Sequence, residues 1–136
     1  MKFFFYKIRG TKIQGNADNQ FYATRYDYLR IAKAMLDDWQ NDTCVGKYLK
    51  TIFERKEKKG NQRKPVNFPY ARSYAGMFQT NYEFIPKKRP VMGMHGYGGQ
   101  HIVIDFENSR IVVANSIHEN WDQKKIIYSK IKKGID

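Results

Sequence analysis

The chain has 136 residues, of which 41% are hydrophobic and 15% aromatic, so it can bury the core of one domain and is not broadly disordered. We expect a single domain over residues 1–136. No apolar run approaches the roughly 20 residues of a membrane-spanning helix. The apolar stretch after Met1 is too short for a signal peptide, so we expect no export signal, and the compartment is not indicated. The net charge of +12 is typical of proteins that bind polyanions, and also of lysine-rich coding composition.

The first strong pattern predicts a helix from about Tyr26 to about Trp39. Residues 3–14, which precede it, mix apolar and basic side chains and indicate a strand, and residues 15–20 have turn composition. Thr24 is suited to cap the helix, and Asp27 follows at the capping-box spacing. Apolar residues at spacings of three and four predict the buried face, which consists of Tyr28, Ala32, Met35, Leu36 and Trp39.

A second, shorter helix is predicted over residues 41–56, ended by Gly60 and Pro65. A basic cluster, Arg55–Lys64, runs from this helix into a segment that we interpret as a solvated loop. The predicted buried face of the helix consists of Val45, Tyr48, Leu49, Ile52 and Phe53.

The remaining elements predict a sheet followed by a helix. We expect strands at Tyr74–Phe84, Ile102–Ile104 and Ile111–Val113, the last two joined by a hairpin loop over Asp105–Arg110. The two apolar runs predict strands that are covered on both faces. The order of helices, strands and helix therefore predicts an α+β fold, an antiparallel sheet backed by helices. The closing helix is predicted to be capped by Asn120, to carry Trp121, Ile127, Tyr128 and Ile131, and to end in lysines before Gly134.

Glycines crowd the stretch before the second predicted strand, which reads "MHGYGGQHIVID" over residues 94–105. One interpretation is a tight turn with a bulge. The other is a main chain that must approach a ligand closely, since glycine leaves no side chain in the way. The stretch is neither a phosphate-binding loop nor a dinucleotide fingerprint, because it lacks Gly-Lys-Ser/Thr and precedes a strand.

Three segments in order resemble the C-terminal part of the serine β-lactamase and penicillin-binding-protein-like hydrolases. They are "GNADNQFYATRYDYLRIAKAML", "GYGGQHIVIDFENSRIVVANS" and "HENWDQKKIIYSKIKKG", and together they span Gly15 to Gly134. The family includes class C β-lactamases, DD-peptidases, esterases and amide hydrolases. The resemblance implies part of a β-lactamase/transpeptidase-like fold. It also implies hydrolysis of an ester, amide or peptide bond through an acyl-enzyme, with no cofactor and no metal.

The resemblance assigns Tyr97-Gly98-Gly99 to the family's third catalytic motif. It implies that the backbone amide of the following residue, Gln100, donates to the oxyanion of the reacting carbonyl. Tyr97, or alternatively His95, would stand in the place of the family's lysine and hydrogen-bond the substrate. The departure from lysine favours an esterase, amidase or peptidase-like activity over penicillin recognition. From the residues alone, an ordinary hydrogen-bonded histidine is the alternative for His95 and for His101.

The family's nucleophile motif has no good counterpart in this chain. The only Ser-x-x-Lys is Ser129 to Lys132, which follows the glycine motif and falls late in the closing helix, and we interpret it as chance. No Tyr-x-Asn or Ser-x-Asn occurs. We therefore expect a segment that is inactive alone: a fragment or split product completed by a partner chain carrying Ser-x-x-Lys, a degenerate paralogue, or an independent fold.

The basic clusters and the histidines indicate what else the chain could bind. A small basic domain that binds nucleic acid or another polyanion would use the clusters Arg55–Lys64 and Lys87–Arg89. A metal site built on His95, His101 and Asp105 is not expected, because we place His101 and Asp105 on opposite faces of their strand, and the histidines and the single cysteine do not have zinc-ligand spacing.

Overall fold

The computed structural model describes residues 23–58, 71–82, 85–96, 100–115 and 123–132. Within these ranges, five strands form one antiparallel sheet whose spatial order follows the chain, and three helices accompany it, which confirms the predicted α+β class. The elements are α1 (Arg25–Gln40), α2 (Cys44–Lys58), β1 (Ala71–Ala75), β2 (Phe78–Tyr82), β3 (Val91–His95), β4 (His101–Asp105), β5 (Arg110–Ala114) and α3 (Gln123–Lys132).

The first helix begins where the capping pattern predicts. The Asp27 amide donates to the Thr24 hydroxyl at 3.2 Å, and the Thr24 amide donates back to the Asp27 carboxylate at 3.0 Å. The bonds from Thr24, with a smaller contribution from Arg30, lower the pKa of Asp27. This reciprocal bonding satisfies amides that a helix start otherwise leaves without partners, so the local sequence alone defines the beginning of α1.

The second helix packs tightly against the end of the first, but its buried face is shorter than predicted. A Cβ atom at Gly46 would lie 1.9 Å from the carbonyl oxygen of Asp38, so only glycine permits this approach. The exposed fractions of Val45 and Tyr48 are 50% and 62%, so their predicted burial is wrong. Both side chains belong to the first two turns of α2, whereas the β1–β2 turn contacts the helix one turn later, at Ile52. The other predicted positions of this face, Leu49, Ile52 and Phe53, are buried.

The segment predicted as a single strand, Tyr74–Phe84, instead contains the turn of the hairpin β1–β2, and its positions 83 and 84 lie outside the described residues. Its two-residue turn consists of Gly76 and Met77, with φ of 53° and 73°, which matches the left-handed conformation that tight hairpins favour. The alternating aromatic pattern continues through the turn, so the sequence pattern does not indicate where the first strand ends. Strand β3 was not predicted at all, because Gly93 interrupts its apolar pattern. The predicted strands before and after the loop Asp105–Arg110 are confirmed as β4 and β5.

In the part of the chain that the structure describes, two cores lie on opposite faces of the sheet. The helices α1 and α2 cover one face, where Leu36 and Ile52 meet Met92 and Ile104. Helix α3 covers the other face. There Tyr82, Ile85, Val91 and Val103 meet the predicted core residues Ile127 and Ile131. Strand β4 is buried along its whole length, as expected, whereas every residue of β5 is only half-buried.

Several predictions concern residues that the structure does not describe. They are the strand at 3–14, the turn at 15–20, the helix ends at Gly60, Pro65 and Gly134, the cap Asn120, and Trp121. The predicted closing helix itself is present as α3, with Lys130 and Lys132 in its last turn.

Candidate functional site

The predicted site lies at the connection between β3 and β4. Tyr97, Gly98 and Gly99 lie outside the described residues, but both ends of the connection are placed. His95 closes β3 and pairs directly with His101 at the start of β4. The amide of Gly96 then donates to the carbonyl oxygen of Gln100 at 2.9 Å. The glycine-rich stretch therefore joins two paired strands, with Gln100 held at the point where the second one starts.

Both ring nitrogens of His95 have protein partners. The Nε2 atom lies 2.9 Å from the hydroxyl of Tyr82, and Nδ1 contacts Nδ1 of His101. Burial, and secondly the charge of His101, lower the pKa of His95 to about 3. His95 is therefore neutral at physiological pH and is held by hydrogen bonds, so its nitrogens are committed to Tyr82 and His101 in this arrangement.

The missing side chain of Gly93 makes room for this cluster. A Cβ atom at position 93 would lie 2.0 Å from the hydroxyl oxygen of Tyr82 and 2.9 Å from Nε2 of His95. Real Cβ atoms do not approach other atoms so closely, so the bond between Tyr82 and His95 requires glycine here. Sequence reasoning missed Gly93 and Tyr82. The available signal was a glycine inside an otherwise apolar strand, which is typical of a close approach by another group.

Strand β4 presents His101, Val103 and Asp105 to the same side of the sheet. The expectation that His101 and Asp105 lie on opposite faces was wrong, because residues four positions apart in a strand share a face. His101 and Asp105 nevertheless have separate partners: His101 contacts His95, while Asp105 is paired with Arg89. Within the described ranges, no group of three or more His, Cys, Asp and Glu residues is arranged to hold a metal ion.

Arg89 has a structural role and is not part of an exposed basic cluster. Its exposed fraction is 8%, and its guanidinium forms a buried ion pair with Asp105, whose own exposed fraction is 0%. The guanidinium also lies within 3.4 Å of the carbonyl oxygen of Ile131, which ties β4 to α3. The amide of Asn108 adds a bond of 3.2 Å to Asp105. The predicted cluster Lys87–Arg89 therefore offers a polyanion one cation fewer than its sequence indicates.

Several basic side chains of α1 and α2 also form ion pairs. Arg30 lies 3.0 Å from Asp27, and Lys50 lies 2.8 Å from Asp42. Such exposed pairs contribute little to stability, but they reduce the local field that would attract a polyanion. The predicted cluster Arg55–Lys64 extends beyond the described residues after position 58.

The Ser-x-x-Lys match at Ser129 lies within α3 and not at its start. The helix begins at Gln123, and Ser129 is exposed near its last turn. A nucleophile of this kind is expected in the first turn of a helix, where its lysine stands one turn later and faces the substrate site. The position of Ser129 agrees with the interpretation of this match as chance.

No protein-family model, curated protein or solved structure matches this chain. None of the helices in the described ranges has the length and apolar character needed to cross a bilayer.

Proposed function

We propose that this chain supplies the oxyanion-binding side of a β-lactamase-like serine hydrolase. Its substrate is an ester, amide or peptide, and the serine nucleophile comes from a partner chain that carries Ser-x-x-Lys. The observation that carries the proposal is the placement of the glycine-rich stretch. It joins β3 to the buried strand β4, and two glycines, Gly98 and Gly99, directly precede Gln100 and leave its amide without a bulky neighbour.

The chemistry follows from that placement. The serine oxygen attacks the carbonyl carbon of the substrate, and the carbonyl oxygen becomes negative as the tetrahedral intermediate forms. The amide of Gln100 donates to this oxygen. Collapse of the intermediate expels the alcohol or amine with a proton, and water then releases the acid from the acyl-serine. Removing one such donor typically costs about a hundred- to a thousandfold in rate.

His95 has a positioning role in this proposal. With its pKa lowered to about 3, its imidazole is too weak a base to accept the serine proton at neutral pH. Its bonds to Tyr82 and His101 instead hold the end of β3 against the start of β4. The proton acceptor therefore belongs to the partner that supplies the nucleophile, and Tyr97 remains the candidate for a direct hydrogen bond to the substrate.

The donor role of Gln100 is tested with a small tetrahedral anion. The ¹⁵N-labelled chain is titrated with methylphosphonate while amide chemical shifts are recorded. We expect the Gln100 amide to move downfield, and the Gly96 amide, which already donates to a carbonyl, to stay in place. Gln100→Pro removes the amide donor and should abolish the shift that the anion causes at the neighbouring amide of His101, whereas Gln100→Ala should keep that shift. Equal responses of the two variants would contradict the proposal.

The absence of a nucleophile is tested separately. The chain is incubated with a p-nitrophenyl ester and with an active-site fluorophosphonate. We expect neither turnover nor labelling. Labelling at Ser129, or turnover that disappears in Ser129→Ala, would show that the chain carries its own nucleophile.

A further inference from the structure

We propose that the edge of the sheet at β5 binds an extended, acidic segment of another protein, which adds to the sheet as a further strand. In the described part of the chain, β5 pairs with β4 on one side and is last in the order of the sheet. In an edge strand, the amides and carbonyls of alternate residues point away from the sheet. These groups are the usual recognition element in strand addition.

An open groove of about 500 Å³ runs along this edge. Its lining consists of Arg110, Ile111, Val112 and Val113 of β5, with Lys130 of α3. Proteins commonly protect an edge strand with a proline, or with a charge in the middle of the strand. Residues 111–114 contain neither. The groove thus combines main-chain hydrogen-bonding groups with apolar side chains that can receive alternate residues of an added strand.

The charges beside the groove favour an acidic ligand. Arg110 and Lys130 meet there, and the guanidinium of Arg110 lies within 3.4 Å of the carbonyl oxygen of Lys130. Two cations beside the groove favour a strand that carries carboxylates. The chain's own residues 3–14 contain three basic side chains and no acidic one. A second copy would bring the same two cations and another net charge of +12. Charge complementarity therefore favours an acidic partner over both of these.

This inference does not depend on the hydrolase proposal. The groove lies on β5 and α3, whereas the proposed oxyanion donor lies between β3 and β4. A negative anion titration at Gln100 would not contradict strand addition at β5. A negative result for peptide binding at β5 would likewise not contradict the role of Gln100.

The experiment uses the full ¹⁵N-labelled chain and an acetylated, amidated peptide in which valine and threonine alternate between two terminal glutamates. We expect amide shifts in residues 111–113 and nuclear Overhauser contacts between the peptide backbone and β5. A peptide with lysines in place of the glutamates should bind about tenfold more weakly. A peptide methylated at every backbone nitrogen should lose binding, because it has no amide donor on either edge.

A charge-reversed protein separates electrostatics from loss of structure. The double variant Arg110→Glu, Lys130→Glu should prefer the lysine peptide to the glutamate peptide, which an unfolded chain cannot do. Three results would overturn the proposal. They are equal binding of the methylated peptide, contacts of β5 with residues 3–14, and a dimer paired through β5.

Discussion

Gly93→Ala is the substitution that most sharply tests the packing at the candidate site. The added methyl carbon would start 2.0 Å from the hydroxyl oxygen of Tyr82, 2.9 Å from Nε2 of His95 and 3.2 Å from the carbonyl oxygen of Ile102. Tyr82 is buried, with an exposed fraction of 2%, so its hydroxyl has little freedom to move away. We expect overpacking to lower the free energy of unfolding by about 1–3 kcal/mol.

A double-mutant cycle assigns that loss to the hydroxyl group. Tyr82→Phe alone removes the bond to His95 and should cost about 1 kcal/mol. When Tyr82→Phe is already present, the methyl group of Gly93→Ala no longer meets an oxygen, so the combined loss should be smaller than the sum of the single losses. We expect a coupling free energy of roughly 1–2 kcal/mol, measured by urea unfolding. Gly96→Ala is the matched control. Its Cβ would meet mainly the flexible end of the Gln100 side chain, so it should cost less than about 1 kcal/mol. Additive effects of Gly93→Ala and Tyr82→Phe would refute the packing argument.

Three further predictions concern other parts of the chain. The variant Gly46→Ala places a Cβ atom 1.9 Å from the main-chain oxygen of Asp38. Because a main-chain atom cannot rotate away as a side chain can, we expect a loss of several kcal/mol in the free energy of unfolding, measured by heat or urea. A loss below about 1 kcal/mol would contradict this expectation. The variant Met77→Gly should raise the free energy of unfolding by up to about 1 kcal/mol. Met77 has a φ of 73°, which is strained for a residue with a side chain, and that side chain is exposed and contributes little packing. A lower stability of the variant would show that the side chain contributes more than the backbone strain costs. Between about pH 6.5 and 5, the unfolded chain binds a proton at His95 that the folded chain, with a pKa of about 3, does not bind. Stability should therefore be greatest above pH 6.5 and fall by about 1 kcal/mol per pH unit as the pH decreases. The side chains of Tyr82 and His101 face His95. The variant His95→Gln should flatten the curve, and an unchanged slope would contradict the assignment to His95.

Local patterns account for the parts of the fold that the sequence predicts well. The start of α1 depends on Thr24 and Asp27, which lie three residues apart and bond to each other. The predicted loop Asp105–Arg110 forms as a hairpin turn because two apolar runs flank it at short range. In both cases the determining contacts are close in sequence, so composition and spacing carry the information.

The parts that the sequence does not predict depend on contacts between distant residues. Gly93 interrupts an apolar pattern for a reason that becomes visible only when Tyr82 and His95 are placed beside it. Arg89 looks like one member of a solvated basic cluster, and its burial depends on Asp105, sixteen positions later. Val45 continues a helical apolar face, yet half of its side chain is exposed. The spacing of residues along the chain does not predict any of these three features.

We propose above that the amide of Gln100 is available to an oxyanion. Scalar couplings across hydrogen bonds, recorded from amide nitrogen to carbonyl carbon, test it directly in the labelled chain. The bond from the Gly96 amide to the Gln100 carbonyl, 2.9 Å long, serves as the internal positive control. We predict a coupling for that bond and none from the Gln100 amide to any protein carbonyl. A coupling from the Gln100 amide back to the carbonyl of Gly96 would mean that the strand ladder already uses this donor, so that the amide could not bind an oxyanion.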